Sequence, residues 1–555
     1  MVRFSLFVCA LIGNFVVPPV WAGASTTVAG EIIPGRYLVQ LADGVSPHEC
    51  AAEMDQMLPE VAPGDIFSEA LTGFVCEIQG TSSAEVEATV SAIAADPRVV
   101  GIEVARVMTV PGLQEEVEAP FNGRNGELRR FRQILFKTPV PQITPQGVDR
   151  VDGDLHPGTG AGIHLAQIDS GFPLDHEDWP LPAGGVDFVN EPGVAFGQDT
   201  LGHATMTGGV IVAQDNGFGV VGIAPDIDLW FVKIFGSSAF GSSLDAFRAL
   251  EWVASTRTDA DPNNDMDIAL LEFDLLGNSP AFCDAISRMT SLGIVVVAAA
   301  GNSQWDAGLN SPANCPDAIA VSSMSDSDGL PGGIGDLLSQ FERDDYFSVF
   351  SNYGSVVDIA APGARVLTTS INPLTPYRSP HGTSMAVPHV AAAAALYLEA
   401  HPGATPTQFR EALLSGAWSQ HGTFGFLGDP DQTSHPHGPG LDEPVLNVNA
   451  PELGGRPLRV ELAALSAADV FRGEPYDILA RPKSLEETGV GVTIHATVNG
   501  PGGTQLLGAQ SLPIAGGTKG KAQFEDICDL TPGLYTATVT IEQSGATASV
   551  PFTIK

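Results

Sequence analysis

Four short, mostly apolar runs mark the middle of the chain: Ile163–Ile168, Leu229–Ile234, Ile268–Leu271 and Ile294–Ala299. Each is bounded by turn residues and is too short for a buried helix. That is how strands covered on both faces of a parallel sheet read. Helical patterns separate the runs. The stretch from about 140 to 450 therefore predicts an α/β fold, with a central, mostly parallel sheet and helices on both faces. In such sheets, sites form at the carboxyl ends of the strands, so the residues just after each run are the candidates.

The flanks follow other periods. Arg36–Leu41 alternates like a strand, and Ser46-Pro47 opens a helical stretch through Met57. Phe67–Ile78 predicts a hairpin turning near Thr72-Gly73. Ala84–Ala95 is helical and ends before Pro97, and Val99–Val110 reads as a last strand. Two helices between strands predict a small ferredoxin-like α+β unit over residues 34–110. Residues 111–140 show no period, and Asn122–Gly126 is polar, so this is an exposed linker. Beyond 460, Val492, Ile494, Ala496 and Val498 share one face, and Tyr535, Ala537, Val539 and Ile541 another. A small β-sandwich over 460–555 is expected. Gly428–Pro439, between the two, reads as loop.

Composition narrows the function. The 26 Lys and Arg against 65 Asp and Glu give a net charge of −39. Such a chain repels DNA, RNA and anionic lipid, which excludes a nucleic-acid partner. Arg3 precedes an apolar run from Phe4 to Val17, followed by Ala22-Gly23-Ala24. This predicts an export signal over residues 1–24, cut after Ala22 or Ala24, and a secreted or periplasmic protein. A membrane anchor is the other reading of the same run; no other stretch is long and apolar enough to span a bilayer. A monomer is expected. Cys9 lies inside the run. In an oxidising compartment Cys283 with Cys315, and Cys50 with Cys76, are candidate pairs, leaving Cys528 over. Unlinked buried thiols are the alternative, since sequence does not fix connectivity.

Chemistry clusters after the predicted strands. Asp169-Ser170-Gly171 follows the first run, Gly202-His203-Ala204-Thr205 follows a loop, and Ala300-Gly301-Asn302-Ser303 follows the fourth run. His381-Gly382-Thr383-Ser384-Met385-Ala386 leads into an alanine-rich helix. A serine hydroxyl needs an imidazole to take its proton. The imidazole needs a carboxylate to fix its tautomer and stabilise its cation. The tetrahedral intermediate needs donors aimed at its oxyanion. Ser384 at a helix start supplies a backbone N–H, and Asn302 supplies a side-chain amide.

The order Asp…His…Ser, with Asn between His and Ser, resembles the subtilisin-like (subtilase) family over residues from about 140 to 450. Matching segments are Ile168–Gly171, Gly202–Thr205, Val295–Asn302, Phe350–Gly354, Ala361–Gly363 and Gly382–Val390. The resemblance implies a serine endopeptidase acting on polypeptides, in which Asp169 orients, His203 moves the proton, Ser384 attacks and Asn302 donates to the oxyanion. It also implies that residues 34–110 are an inhibitory propeptide, the protein's own intramolecular inhibitor, released by cleavage within 111–140. A structural Ca2+ site is implied at Gln142, Asp178, Gln214, Asn216, Phe218 and Val220. The side chains of Gln142, Asp178 and Asn216 and the carbonyls of the other three would be its ligands. Asp178 and Asn216 equally suit surface turns.

Three positions depart from the family pattern. Met206 stands where many relatives carry a second His. His381 precedes Gly382, to lie near the oxyanion or face solvent. Glu272-Phe273-Asp274 stands where Ser-Leu-Gly is usual, in a segment that pairs with substrate. Two carboxylates there would favour a basic side chain before the cleaved bond; a shifted local alignment, or acids facing solvent, is the alternative. The rival functions are a catalytically inactive subtilase-fold binding protein, and an adhesion or carbohydrate-binding role led by residues 460–555.

Overall fold

The computed structural model describes residues 29–110 except 81. It also describes 142–455 except 330, 332, 334, 336, 339–341, 423 and 431–442 and, as backbone, the strands between 458 and 554. The predicted export signal (1–24), the 111–140 linker, most of the 428–439 loop and Cys528 lie outside the described residues.

The N-terminal unit runs β1 (Ile32–Leu41), α1 (Pro47–Met57), β2 (Val61–Phe67), β3 (Gly73–Ile78), α2 (Ser83–Ala94) and β4 (Val99–Thr109). Its antiparallel sheet has the order β2-β3-β1-β4. Ser46 caps α1 through the Glu49 N–H, with Pro47 just inside, and Ser82 caps α2 through Glu85. Helices and sheet enclose Cys50, Met54, Phe74 and Ile93. Cys50 and Cys76 do not pair there; both are buried free thiols. Burial pushes the Cys76 thiol up to about 12, so it stays protonated and inert.

The large unit contributes β5 (His164–Asp169), β6 (Gly184–Asp187), β7 (Asp228–Lys233), β8 (Phe240–Ser242), β9 (Ile268–Leu271), β10 (Leu275–Leu276) and β11 (Val295–Ala299). These are followed by β12 (Asn310–Ser311), β13 (Ile319–Ser325), β14 (Tyr346–Phe347) and β15 (Ile359–Ala364). Seven strands form a parallel array in the order β6-β7-β5-β9-β11-β13-β15, and β14 joins β13 antiparallel. The four apolar runs are its four adjacent central strands, β7-β5-β9-β11. Outer strands carry less apolar sequence. β13 buries Ser322, Ser323 and Ser325, whose hydroxyls bond to Glu443, Ser348 and the Arg343 carbonyl. Satisfied this way, serines cost little inside a sheet.

The longer helices of this unit are α3 (His203–Val212), α4 (Ser243–Thr256), α5 (Pro280–Ser291), α6 (Thr383–Ala400) and α7 (Pro406–Gly416). α6 and α7 pack against one face and α4 and α5 against the other. α6 is buried from Thr383 to Leu398, as expected of a helix apolar all round. Cys283 of α5 forms a disulfide with Cys315. Among the described residues no helix is long and apolar enough to cross a membrane.

Near the C-terminus, one sheet holds Leu458–Leu465, Pro475–Ser484 and Ala522–Ile527. Five strands form a second sheet, among them Val490–Gly500 and Gly533–Ile541. Ile494, Ala496 and Val498 lie opposite Ile541, Val539 and Ala537. The two alternating sets are thus neighbours in one sheet.

The N-terminal unit seats on α4 and α5. Leu38, Phe67, Leu71, Val75 and Met108 share an apolar cluster with Phe247 and Phe282. Glu251 of α4 accepts from the N–H groups of Ser68, Glu69 and Ala70 at 2.6, 2.9 and 2.8 Å. Glu103 of β4 accepts from the Ala281 N–H at 2.9 Å and the Ser279 hydroxyl at 2.6 Å, at the start of α5. β4 then pairs antiparallel with β8, Met108 opposite Gly241. On its other side, Thr109 and Asp274 exchange backbone bonds of 3.2 and 2.9 Å.

Candidate active site

Asp169 ends β5 and is fully buried. Its Oδ1 accepts the Ser170 N–H at 2.5 Å, and its Oδ2 lies 2.7 Å from Nδ1 of His203. His203 opens α3 behind Gly202, whose φ of +90° is open to glycine at little strain. Asp199 ties this corner together. Its Oδ1 accepts from the Ser170 hydroxyl and the Gly202 N–H, and its Oδ2 from the Thr205 N–H and hydroxyl. A carboxylate suits the positive end of α3. Burial alone would raise the Asp169 carboxyl; His203 and the hydrogen bonds outweigh it and hold the carboxyl below its usual range. The carboxylate therefore stays ionised beside the imidazole.

Ser384 sits in the first turn of α6, behind Gly382 at φ +149°. Asn302, after β11, accepts the Thr383 N–H on Oδ1 at 2.8 Å. Its Nδ2 is buried and has no partner, and neither has Nε2 of His203. A lone buried donor and a lone buried imidazole nitrogen are what a bound substrate would engage. α3 meets α6 through Met206, Val210, Val366 and Met385. Met206 is thus a packing residue. The His381 ring is half-buried and lies edge-on to Phe350, at 6.3 Å.

Lys233 was not among the sequence candidates. It ends β7 in register with Asp169, is fully buried, and donates to the Ser170 carbonyl. Burial lowers its ammonium, opposed by Asp199, Asp187, Glu191 and Asp169. Asp199 was missed as well. A charged residue closing an apolar strand was the available signal for Lys233; nothing local marks Asp199.

The expected pair of acids lining a substrate pocket does not form. Glu272 is fully buried and turns inward, its Oε2 accepting from Thr207 Oγ1 at 2.7 Å and Gln167 Nε2 at 3.2 Å. Asp274 accepts one bond from Asn310 Nδ2 at 2.9 Å, and burial pushes its carboxyl up to about 7. The folded protein holds this proton more tightly than the unfolded chain, where the carboxyl titrates near about 4. The stability it brings is complete below about pH 4 and is lost as pH rises toward 7. Asp274→Asn, placed in unprocessed Ser384→Ala protein, should raise the melting temperature at pH 8 and leave it unchanged at pH 4. Equal calorimetric shifts at both pH values would mean that Asp274 does not titrate there.

Five of the six candidates for a cation lie on two adjoining segments, 142–143 and 214–220, and the sixth, Asp178, contacts the second of these. Ile143 and Val220 form a parallel bridge, and the Gly217 and Gly219 carbonyls accept from Gln142 and Ile143. That alternation turns the Phe218 and Val220 carbonyls to the opposite side. Asp178, beside Asn216, Val220 and Tyr377, accepts from all three. The Gln142 side-chain carbonyl accepts from Gly217, and the Gln214 carbonyl from Asn216. A Cβ on Gly219 would meet the Asp178 carboxylate at 2.4 Å, so the loop wraps closely. The donor set, one carboxylate with amide and backbone oxygens, fits a hard cation. Separately, Asp326, Asp328 and Asp344 bring oxygens within 4.8 Å of one another.

A buried carboxylate–imidazole pair at the carboxyl edge of a parallel sheet, facing a helix that begins Gly-Thr-Ser, is a serine-hydrolase arrangement. The comparisons agree. The subtilase family model matches residues 160–443. An alkaline protease of Alkalihalobacillus alcalophilus is 35% identical over 285 residues, 51% of this chain and 67% of that protein. Subtilisin Savinase of Lederbergia lenta is 35% identical over 281 residues, 50% of this chain and 93% of that protein. An extracellular serine proteinase of Thermus sp. (strain Rt41A) is 29% identical over 396 residues, 70% and 85% of the two chains. The chain belongs to the subtilase family and is a serine-type endopeptidase.

Proposed function

We propose that this is a secreted endopeptidase that cleaves polypeptides through an acyl-enzyme on Ser384. The observation that carries the reading is the Asp169–His203 hydrogen bond, with His203 Nε2 and Asn302 Nδ2 left unpartnered at the same sheet edge. His203 Nε2 takes the Ser384 proton as Oγ attacks the scissile carbonyl. The oxyanion receives Asn302 Nδ2 and the Ser384 N–H. His203 returns the proton to the leaving amine, then draws one from the water that releases the acyl group. A fluorophosphonate probe should label Ser384 in the processed protein, which should digest casein. Failure of both would leave the rival reading, an inactive binding protein of the same fold. The family membership and the extracellular name of the Thermus relative support export.

Residues 34–110 act, in this reading, as a ferredoxin-like inhibitory propeptide. Support comes from residues 107–110, which lie as an added strand between β8 and Asp274, as a peptide substrate would. Cleavage in 111–140 then frees the 141–450 peptidase domain. The match to the Thermus proteinase, longer than the family model's span, favours shared flanking segments. Residues 460–555 form a separate β-sandwich module, and the protein acts as a monomer.

Gln142, Asp178, Gln214, Asn216, Phe218 and Val220 hold a structural calcium ion. Calcium neutralises the Asp178 carboxylate and ties the 142–143 strand to the 214–220 loop; no proton-transfer step involves it. A ligand at about 1,000 times its Kd adds about 4 kcal/mol. For a domain of this size that is a shift on the order of 10 °C. EGTA should lower the melting temperature by that amount in wild type and leave Asp178→Ala unmoved. A melting temperature indifferent to EGTA in wild type counts against the site.

A further inference from the structure

Glu272 is a carboxyl group that the mechanism above does not use. It follows β9 at the active edge and is fully buried. Asp169, His203 and Glu272 present polar atoms within 4.8 Å of one another. Oε2 of Glu272 already accepts from Thr207 and Gln167, while Oε1 has no donor. The Asp169 and Glu272 carboxyls are both fully buried and present oxygens within 4.8 Å of each other, so two charges there would repel without solvent to screen them. One of the acids must therefore carry a proton. Asp169 takes the Ser170 N–H, faces the His203 Nδ1 and lies in register with Lys233. Among the described residues, Glu272 has no ion-pair partner. The proton therefore belongs to Glu272.

We propose that Glu272 is a positioning residue, kept as a neutral acid behind the Asp169–His203 pair and donating its carboxyl hydrogen to Asp169. The claim rests on the catalytic roles given above. The charged or titratable groups facing Glu272 are Asp169 and His203, with Lys233 beyond them; Thr207 and Gln167 are neutral. Burial, reinforced by Asp169, keeps the Glu272 carboxyl well above the ordinary range. The consequence is electrostatic. The donated hydrogen draws charge off Asp169 and fixes its rotamer, so His203 feels one tempered carboxylate. An ionised Glu272 would instead put a second negative charge near the imidazole and raise its basicity.

The acid limb of the kcat/KM–pH profile reports this directly. Glu272→Gln keeps the shape and the donor, and its limb should stay within about 0.3 unit of wild type. Glu272→Leu removes the donor; its limb should move to higher pH, and kcat/KM should fall about tenfold. A limb lowered by about one unit or more in Glu272→Gln would mean that Glu272 is ionised, and overturns the proposal. So would a Glu272→Leu profile identical to wild type. If Glu272→Leu does not fold, infrared spectroscopy of the intact Ser384→Ala protein decides. A protonated-carboxyl band lost on adding Glu272→Gln supports the neutral acid, and its absence overturns it. A wild type that hydrolyses no peptide would sink the endopeptidase reading, and the infrared test would still judge Glu272.

Discussion

Ser384→Ala is expected to abolish peptide hydrolysis. The loss in kcat should be on the order of 10^6, the size established for the same residue's removal in subtilisin, a relative in this family. The geometry explains why nothing substitutes. The Asp169–His203 pair would keep its 2.7 Å contact, but His203 Nε2 would have no hydroxyl to deprotonate. Water attacking in its place would still be helped by Asn302 and by substrate binding, which leaves the residual rate over water. The variant should also fail to release its N-terminal unit if that cleavage is intramolecular. Mass spectrometry would then show one chain spanning the 111–140 region where wild type shows two. Casein digestion within tenfold of wild type would remove Ser384 from the mechanism.

How much of this could be read from sequence follows from where each residue sits. Central strands are buried on both faces, so Ile268–Leu271 and Val295–Ala299 had to be apolar and announced themselves. Asp169 and Asn302 follow such strands directly, and His203 and Ser384 start helices behind glycines, so local sequence exposes them. β13 hid because its serines are satisfied by groups distant in the chain, Glu443 lying 121 residues away from Ser322. Asp199 hid for the same reason, since its partners are set by the fold, whereas Lys233 showed only as a charge closing an apolar strand. Glu272 was legible as an acid in an unusual place, but its direction was not. A residue ending a strand can face the cleft or the core, and here Thr207 and Gln167 turn it inward. The Cys283–Cys315 disulfide and the free Cys50 and Cys76 show the same limit, because pairing depends on packing that spacing does not reveal.

Glu251→Ala is expected to loosen the processed N-terminal unit from the peptidase. One half-buried carboxylate receives three successive N–H groups, Ser68, Glu69 and Ala70, from the turn after β2. Charge-assisted bonds of this type contribute about 1.5–3 kcal/mol each when sheltered. Partial exposure and the shared acceptor reduce the sum to about 2–3 kcal/mol, a 30- to 150-fold weaker complex. The apolar cluster around Phe247 and Phe282 and the β4–β8 pairing remain, so the variant should still fold and still be inhibited at high concentration. The difference should appear on dilution. Wild type should gain activity after a long lag as the segment dissociates and is degraded, and Glu251→Ala should gain it many times faster with the same final rate. Glu251→Gln keeps an acceptor but not the charge, and should fall between them. Identical lags in all three proteins would mean that the strand formed by residues 107–110 and the apolar cluster hold the unit without help from Glu251.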